Sequence, residues 1–286
     1  ENCILLDGDT FVEYVQDFPT FVENTCIEVC RYNHPLLQKF FINNSGEKVH
    51  VDIEQITHLH INHLSKAFSL IQNLLPDYYE YILKVMRRIV IYSGHLPFSF
   101  ATLAAHGIVF LNASEDNDEV FFIEDLIHQC GHVIFSAYTL DPEEILQINP
   151  NIPLKQLTGD ERDNRDVYSI LHGVFTEVWM NQCMNLCYES CYFSTRQRHE
   201  ILGRFALILT RFGCDLRDLS SLNIFTEKGK ILLMRFFKVY HEILNKRYKL
   251  LSHLDISNQS YCFNYNRFLL LNPLYDRCLD SGSNQI

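Results

Sequence analysis

The sequence predicts an α+β protein that is predominantly α-helical, with a small sheet packed beside the helix that carries His128 and His132. Apolar residues recur at helical spacing over most of 51–90, 120–138, 166–189 and 196–254. Three short β-prone runs, bounded by glycine and proline, lie between the first two of these stretches. The composition, 47% hydrophobic and 13% aromatic, suits a large buried core.

The elements are predicted in chain order from these patterns. Residues 51–90 form a bent helix or a helical pair, because Pro76 interrupts the repeat. Residues 89–92, 98–103 and 107–112 are short strands, and an acidic loop at 112–119 leads into the helix 120–138. A proline-containing irregular connection at 141–165 precedes helices that run to about Leu254.

We expect one domain, because no linker rich in proline, glycine, serine or charge divides the 286 residues. Its parts are an N-terminal helical part at about 1–90, a core with the candidate metal site at about 91–190, and a C-terminal helical part at about 191–286. The sequence leaves the oligomeric state open.

Charge and composition narrow the functional classes. The net charge of -11 lacks the positive field that non-specific nucleic-acid binding uses, so no nucleic-acid partner is expected. No apolar run approaches the roughly 20 residues that span a bilayer, so no membrane partner is expected. Residues 1–9 do not have the pattern of a signal peptide either, so we expect a soluble cytoplasmic protein. The cysteine spacings match no small disulfide framework, which favours reduced thiols.

The segment His128-Gln-Cys-Gly-His132 is the most informative motif. Histidines four residues apart on a helix project from one face and can bind one metal ion together. Both lie in an apolar stretch where an unpaired imidazole is costly, which favours metal ligation over packed or solvated histidines. Upstream, His58, His60 and His63 do not share an i, i+4 face, and we predict that they are solvated.

Gln129 separates this motif from the HExxH helix of zinc metallopeptidases, in which a glutamate takes a proton from the metal-bound water. A glutamine has no basic site for that task, so peptide hydrolysis is disfavoured. The site is then either an inactive peptidase or one whose chemistry needs no base at this position.

A third ligand is expected downstream. His172 lies 40 residues after His132 on a helix that begins near Asp166, while Glu177 and Asp166 are its competitors. Three protein ligands with open positions suit Fe(II), which a 2-oxo acid can chelate. Arg165 would then bind the distant carboxylate of 2-oxoglutarate, although a surface salt bridge is the alternative for this residue.

Residues 107–179, above all His128, Gly131, His132, Arg165, His172 and Gly173, resemble the HExxH-motif peptide-modification family. The resemblance implies an Fe(II) site at His128, His132 and His172, with Arg165 holding 2-oxoglutarate. It implies β-hydroxylation of a ribosomally synthesised precursor peptide, with consumption of O2. Gln129 departs from the family motif.

Two other functions remain open. One is a zinc-binding, metallopeptidase-like protein, inactive or divergent, or a peptide-binding protein. The other is a helical interaction protein whose histidines align by chance. Within the predicted sheet, the strand 107–112 with Phe110 is either an edge that accepts an extended peptide or an ordinary buried strand.

Overall fold

The computed structural model describes residues 19–43, 45–96 and 98–274, together with the backbone of 3–6 and 10–13. The outer ends of the predicted N- and C-terminal parts lie outside the described residues. The first two strands, β1 (Cys3–Leu6) and β2 (Thr10–Glu13), form an antiparallel pair.

The main sheet is mixed and small. Its strands are β3 (Thr20–Phe21), β4 (Glu28–Cys30), β5 (Val51–Asp52), β6 (Arg88–Gly94), β7 (Phe100–Ala101) and β8 (Ile108–Asn112). The order is β3-β4-β6-β8-β7, and β5 pairs with β6 off this path. The central strand β6 is parallel to both β4 and β8, and it reads as a continuous apolar run because both of its faces are covered.

Helices form most of the remaining body. They are α1 (Glu54–Leu74), α2 (Pro76–Val85), α3 (Glu119–Tyr138), α4 (Lys155–Thr158), α5 (Val167–Glu189), α6 (Thr195–Ser220), α7 (Glu227–Leu251) and α8 (Tyr265–Leu271). No described helix combines the length and the apolar character that a membrane crossing requires.

Alternate residues of β6 enter two separate cores. Ile89 and Ile91 face the large core shared with the helices, whereas Val90 and Tyr92 face a smaller one. The smaller core is closed by Phe41, which lies directly after a short 3-10 helix at Pro35–Phe40. The sheet thus has the helical body on one side and a thin cover on the other.

The predominantly helical α+β fold is confirmed. Pro76 begins α2, so the helical pair is the correct alternative, and the three predicted strands and the helices after them are present within a few residues. Among the described residues of the N-terminal part, α-helix begins only at Glu54, and the stretch before it holds three strands of the sheet and one 3-10 helix. The strand 107–112 is internal, since β8 lies between β6 and β7, and Phe110 is buried.

The prediction of solvated histidines in α1 is wrong for His60. Its side chain is fully buried, and Nε2 lies 2.9 Å from the carbonyl oxygen of Ser114. Its other ring nitrogen lies 3.2 Å from Nδ1 of His63. A carbonyl on the loop before α3 and a second histidine of α1 therefore satisfy an imidazole that solvent does not reach.

Gly131 sets the distance between α3 and α5. A Cβ atom at this position would lie 2.9 Å from Cγ2 of Thr176 and 3.2 Å from the hydroxyl of Tyr78. The Tyr78 hydroxyl donates to the carbonyl of Ile127, 2.6 Å away. The missing side chain therefore lets α5 approach the face of α3 that lies beside the two histidines.

Candidate metal centre

Helix α3 presents a polar face to a cavity. The helix begins after Asp118, whose carboxylate caps it by accepting from the backbone N–H of Val120. Asp125, His128 and His132 follow at i, i+3 and i+7, so they share one face that lines the cavity. The opposite face of α3 is apolar and packs into the large core.

Helix α5 brings His172 to this face. Asp166 caps α5 by accepting from the backbone N–H of Ser169. Six residues later, Nδ1 of His172 lies 3.2 Å from Nδ1 of His132. The other ring nitrogen of His132 lies 3.1 Å from Nε2 of His128. The three predicted ligands thus form one cluster with His132 at its centre.

Two of the three imidazoles are spaced to bind one metal ion together. Two nitrogens that bind one ion at right angles at about 2.2 Å lie about 3.1 Å apart, which matches the pair of His128 and His132. His172 contacts the other nitrogen of His132, and its buried Nε2 has no hydrogen-bond partner among the described residues. Ligation by all three requires rotation of a ring, since no set of three or more described side chains is placed to hold an ion as it stands.

All three imidazoles are held neutral. Burial lowers the pKa of His128 to about 4, with a contribution from the charge of Arg211. Burial and the neighbouring histidine lower the pKa of both His132 and His172 to about 3. A neutral imidazole has a free lone pair, which is the form that binds a metal ion.

The other two candidates for the third ligand, Asp166 and Glu177, lie away from the histidine cluster. The carboxylate of Asp166 is used as the helix cap, although its charge acts on His172. Glu177 is buried on α5, and its Oε2 has no hydrogen-bond partner among the described residues. Burial and the nearby Asp215 raise the pKa of Glu177 far above its usual range. Neither carboxylate contacts the histidine cluster.

Gln129 is connected to a buried carboxyl. Its amide donates to Oδ1 of Asp125 at 3.4 Å and lies 3.3 Å from Nδ1 of His128. The hydroxyl of Ser99 donates a short hydrogen bond to the other oxygen of Asp125. Burial raises the pKa of Asp125 to about 7. A titratable carboxyl therefore lies one helical turn before the position where HExxH enzymes carry their glutamate.

Two cavities meet at the histidines. A polar one of about 1400 Å³ is lined by carboxyl and guanidinium groups of α3, α5 and α6 and by residues 261–266. An apolar one of about 670 Å³ lies between β7 and α3. His128, His132 and His172 line both. The cluster is thus accessible from two directions.

Arg165, the predicted co-substrate ligand, lines both cavities and is already paired. Its guanidinium donates to both oxygens of Asp215, at 2.7 and 3.0 Å, and to Asp163 at 2.8 Å. These carboxylates raise its pKa. Another carboxylate can bind Arg165 only by adding to this network or by displacing one member of it.

Three further arginines line the polar cavity, and one of them, Arg196, is paired with Asp118 and Glu200. Arg204 is buried between Glu124, at 2.7 Å, and Glu200, at 2.8 Å. Arg211 donates to the backbone carbonyls of Ser260 and Tyr261, and its guanidinium lies 4.6 Å from the centre of the Tyr261 ring. No ion pair joins Arg211 to a carboxylate within the described residues, so its charge is open to an anion.

Sequence reasoning did not identify Asp125 and Asp215 as residues of this site. Asp125 could have been found from its position three residues before His128 on a predicted helix. Asp215 lies 50 residues from its partner Arg165, and no local pattern indicates that pairing.

No protein-family model matches the sequence, and no curated protein is detectably similar to it. The resemblance to the HExxH-motif peptide-modification family therefore stays a prediction, based on the residues that carry it.

Proposed function

We propose that this protein is an Fe(II)- and 2-oxoglutarate-dependent oxygenase that hydroxylates the β-carbon of one residue in a ribosomally synthesised peptide. The observation that supports this proposal most is the cluster of three neutral imidazoles where a polar and an apolar cavity meet. His128, His132 and His172 would hold the metal ion. Bound iron would supply the redox chemistry that inserts one atom of O2 into the C–H bond while 2-oxoglutarate becomes succinate and CO2.

The lack of a base at position 129 favours oxygenation over hydrolysis. Gln129 cannot take a proton from water, whereas an oxygenase of this kind needs no general base there. Its amide nitrogen donates to Asp125 and faces Nδ1 of His128. Metal binding through Nε2 of His128 would need the amide turned, so that its oxygen accepts from Nδ1–H. Partners that hold the outer nitrogen of a ligating histidine fix the direction in which the ring points.

The distant carboxylate of 2-oxoglutarate needs a cation in the polar cavity. Arg165 is the residue predicted from the sequence, but Asp163 and Asp215 already occupy most of its donors. Arg211 has carbonyl and aromatic partners, and its charge acts on His128. We therefore propose Arg211, in addition to Arg165, as a ligand of the co-substrate.

The direct test is an anaerobic titration of the metal-free protein with Fe(II) and 2-oxoglutarate. A chelated 2-oxo acid gives a weak visible charge-transfer band, which should saturate near one equivalent. His132→Ala should abolish the band, and the matched control His58→Gln, on the exposed face of α1, should keep it. Tight zinc binding with no band under any condition would reject the oxygenase.

Single substitutions distinguish the roles of Arg165 and Arg211. Arg211→Ala and Arg165→Ala should each leave iron binding intact. Removal of the arginine that holds the carboxylate should weaken 2-oxoglutarate binding by about 2 to 4 kcal/mol, the cost of a lost buried charge pair. Unchanged affinity in both variants would transfer the role to Arg204 or reject the co-substrate.

A zinc-dependent hydrolase or zinc-binding peptide receptor is the second candidate, and Asp125 favours it. A buried carboxyl with a pKa of about 7 can act as a general base at neutral pH. Three histidines and one open position are also a common catalytic zinc site. If zinc-loaded protein cleaves peptides, and Asp125→Asn but not Ser169→Ala stops the cleavage, this candidate replaces the first.

A further inference from the structure

Strand β7 forms an open edge of the sheet. It pairs with β8 through the register Phe100 to Phe110 and Ala101 to Val109. No described strand pairs with its other side. The side chain of Phe100 stacks on Phe110 in the smaller core, and that of Ala101 faces the helices. The outer backbone edge of this strand is therefore available to another extended segment.

The apolar cavity runs along this edge. We call it the β7 groove, and its apolar lining includes Phe98, Phe100, Ala101, Leu103, Val133 and Tyr168. Leu103 is 68% exposed and Phe98 is 44% exposed, so large apolar side chains border its opening. Its volume of about 670 Å³ lies within the range of about 300–1000 Å³ typical of ligand pockets, which is more than one side chain needs.

The β7 groove carries almost no charge. Among its described lining residues, Arg165 alone is formally charged at neutral pH, and it is paired with Asp163 and Asp215. A charged side chain entering this groove would lose its water without gaining a partner, whereas an apolar one would gain from burial.

The two cavities divide the site between two ligands. Arg211 and Glu177 line the polar cavity and do not line the β7 groove. Carboxyl groups outnumber guanidinium groups in the polar cavity, and among the described residues Arg211 is the lining arginine without an ion pair. An anionic co-substrate would therefore bind at Arg211, which leaves the apolar side of the histidines to the second reactant.

We propose that the β7 groove binds the peptide substrate as an extended strand added to β7, with an aliphatic or aromatic side chain directed at His128, His132 and His172. This inference rests on the proposed function and specifies its substrate class. Backbone hydrogen bonds to β7 supply affinity without sequence preference, and the apolar lining selects the residue to be modified. Acidic and basic target residues are excluded.

The test measures binding alone, with metal-free protein. The probes are fluorescently labelled, end-blocked heptapeptides that differ only in the central residue, which is Leu, Phe, Asp or Lys. Fluorescence anisotropy should give dissociation constants at least tenfold lower for Leu and Phe than for Asp and Lys. N-methylation of the backbone beside the central Leu should weaken binding at least tenfold, since a strand added to β7 needs those N–H donors.

Leu103→Asp should weaken binding of the Leu probe at least tenfold. The matched control is Leu140→Asp, because Leu140 is 89% exposed and lines neither cavity. Tighter binding of the Asp or Lys probe, no effect of Leu103→Asp, or no binding of any probe would overturn the substrate class. Undiminished binding of the N-methylated probe would overturn strand addition.

The outcome is separable from that of the proposed function. Selective binding of the Leu probe without a charge-transfer band on addition of Fe(II) and 2-oxoglutarate would keep the groove and reject the oxygenase. A normal band without binding of apolar probes would keep the oxygenase and reject the groove.

Discussion

In the metal-free protein, replacing His172 with glutamine should reduce the loss of unfolding free energy that occurs when the pH falls from neutral to acidic. The folded protein holds the pKa of His172 at about 3, whereas an unfolded histidine titrates near 6.5. At pH 5 the unfolded protein therefore binds about one proton more at this residue than the folded protein does. The stability that depends on this residue is complete above about pH 6.5 and falls as the pH drops towards 3.

The size of the effect follows from the two pKa values. The difference in bound protons, integrated from pH 6.5 to pH 4.5, lowers the free energy of unfolding of the wild type by about 2 kcal/mol. This loss is absent in His172→Gln. Asp125 and Glu177 act in the opposite direction, because their pKa values are raised. Their contribution is common to both proteins and cancels in the comparison.

Urea unfolding at several pH values, after removal of metal with a chelator, measures this difference. His58→Gln is the matched control, since His58 is exposed on α1. If the stabilities of the wild type and His172→Gln run parallel between pH 6.5 and 4.5, then His172 is not held neutral by burial. The metal-free cluster would then lack the unprotonated imidazole at His172 that metal binding needs.

Two further predictions concern the packing around the site, and both are read from urea unfolding at pH 7. Gly131→Ala should cost about 1 to 3 kcal/mol, because its Cβ would lie 2.9 Å from Cγ2 of Thr176, and adding Thr176→Ser should recover part of the loss. An equally unstable double variant would show that the contact is not the cause. Arg204→Met should cost about 3 to 5 kcal/mol, because Glu124 would be left without its cation and Glu200 would keep only Arg196. The triple variant with Gln at both acidic positions should recover most of this loss, and failure to do so would point to lost packing instead of lost charge.

Patterns among neighbouring residues predicted the helices and strands that those neighbours themselves determine. The helical repeat with Pro76 predicted α1 and α2, and glycine positions separated β6 from β8. Strand β4 was not predicted because Glu28–Cys30 is too short to show alternation. It is a strand because β6 provides a partner, and Arg88 there bonds to Glu28 from 60 residues away.

The same distinction holds within the candidate site. The i, i+4 spacing predicted that His128 and His132 meet, and the helical segment after Asp166 predicted that His172 returns to them. The burial of His60 was missed, because its partner Ser114 lies 54 residues away. The pairing of Arg165 with a residue of α6 was missed for the same reason.

The parallel pairing of β4, β6 and β8 has a consequence for the order of folding. Helices α5 and α6 are neighbours in sequence and can associate after closing a short loop, whereas β4 and β6 meet only after a segment of about 60 residues has closed. We expect amides of α5 and α6 to be protected earlier than those of β4 in pulse-labelling hydrogen exchange during refolding, and simultaneous protection would contradict this order. Since His128 and His132 lie on α3 and His172 lies on α5, the histidine cluster is complete only once these two helices have packed together.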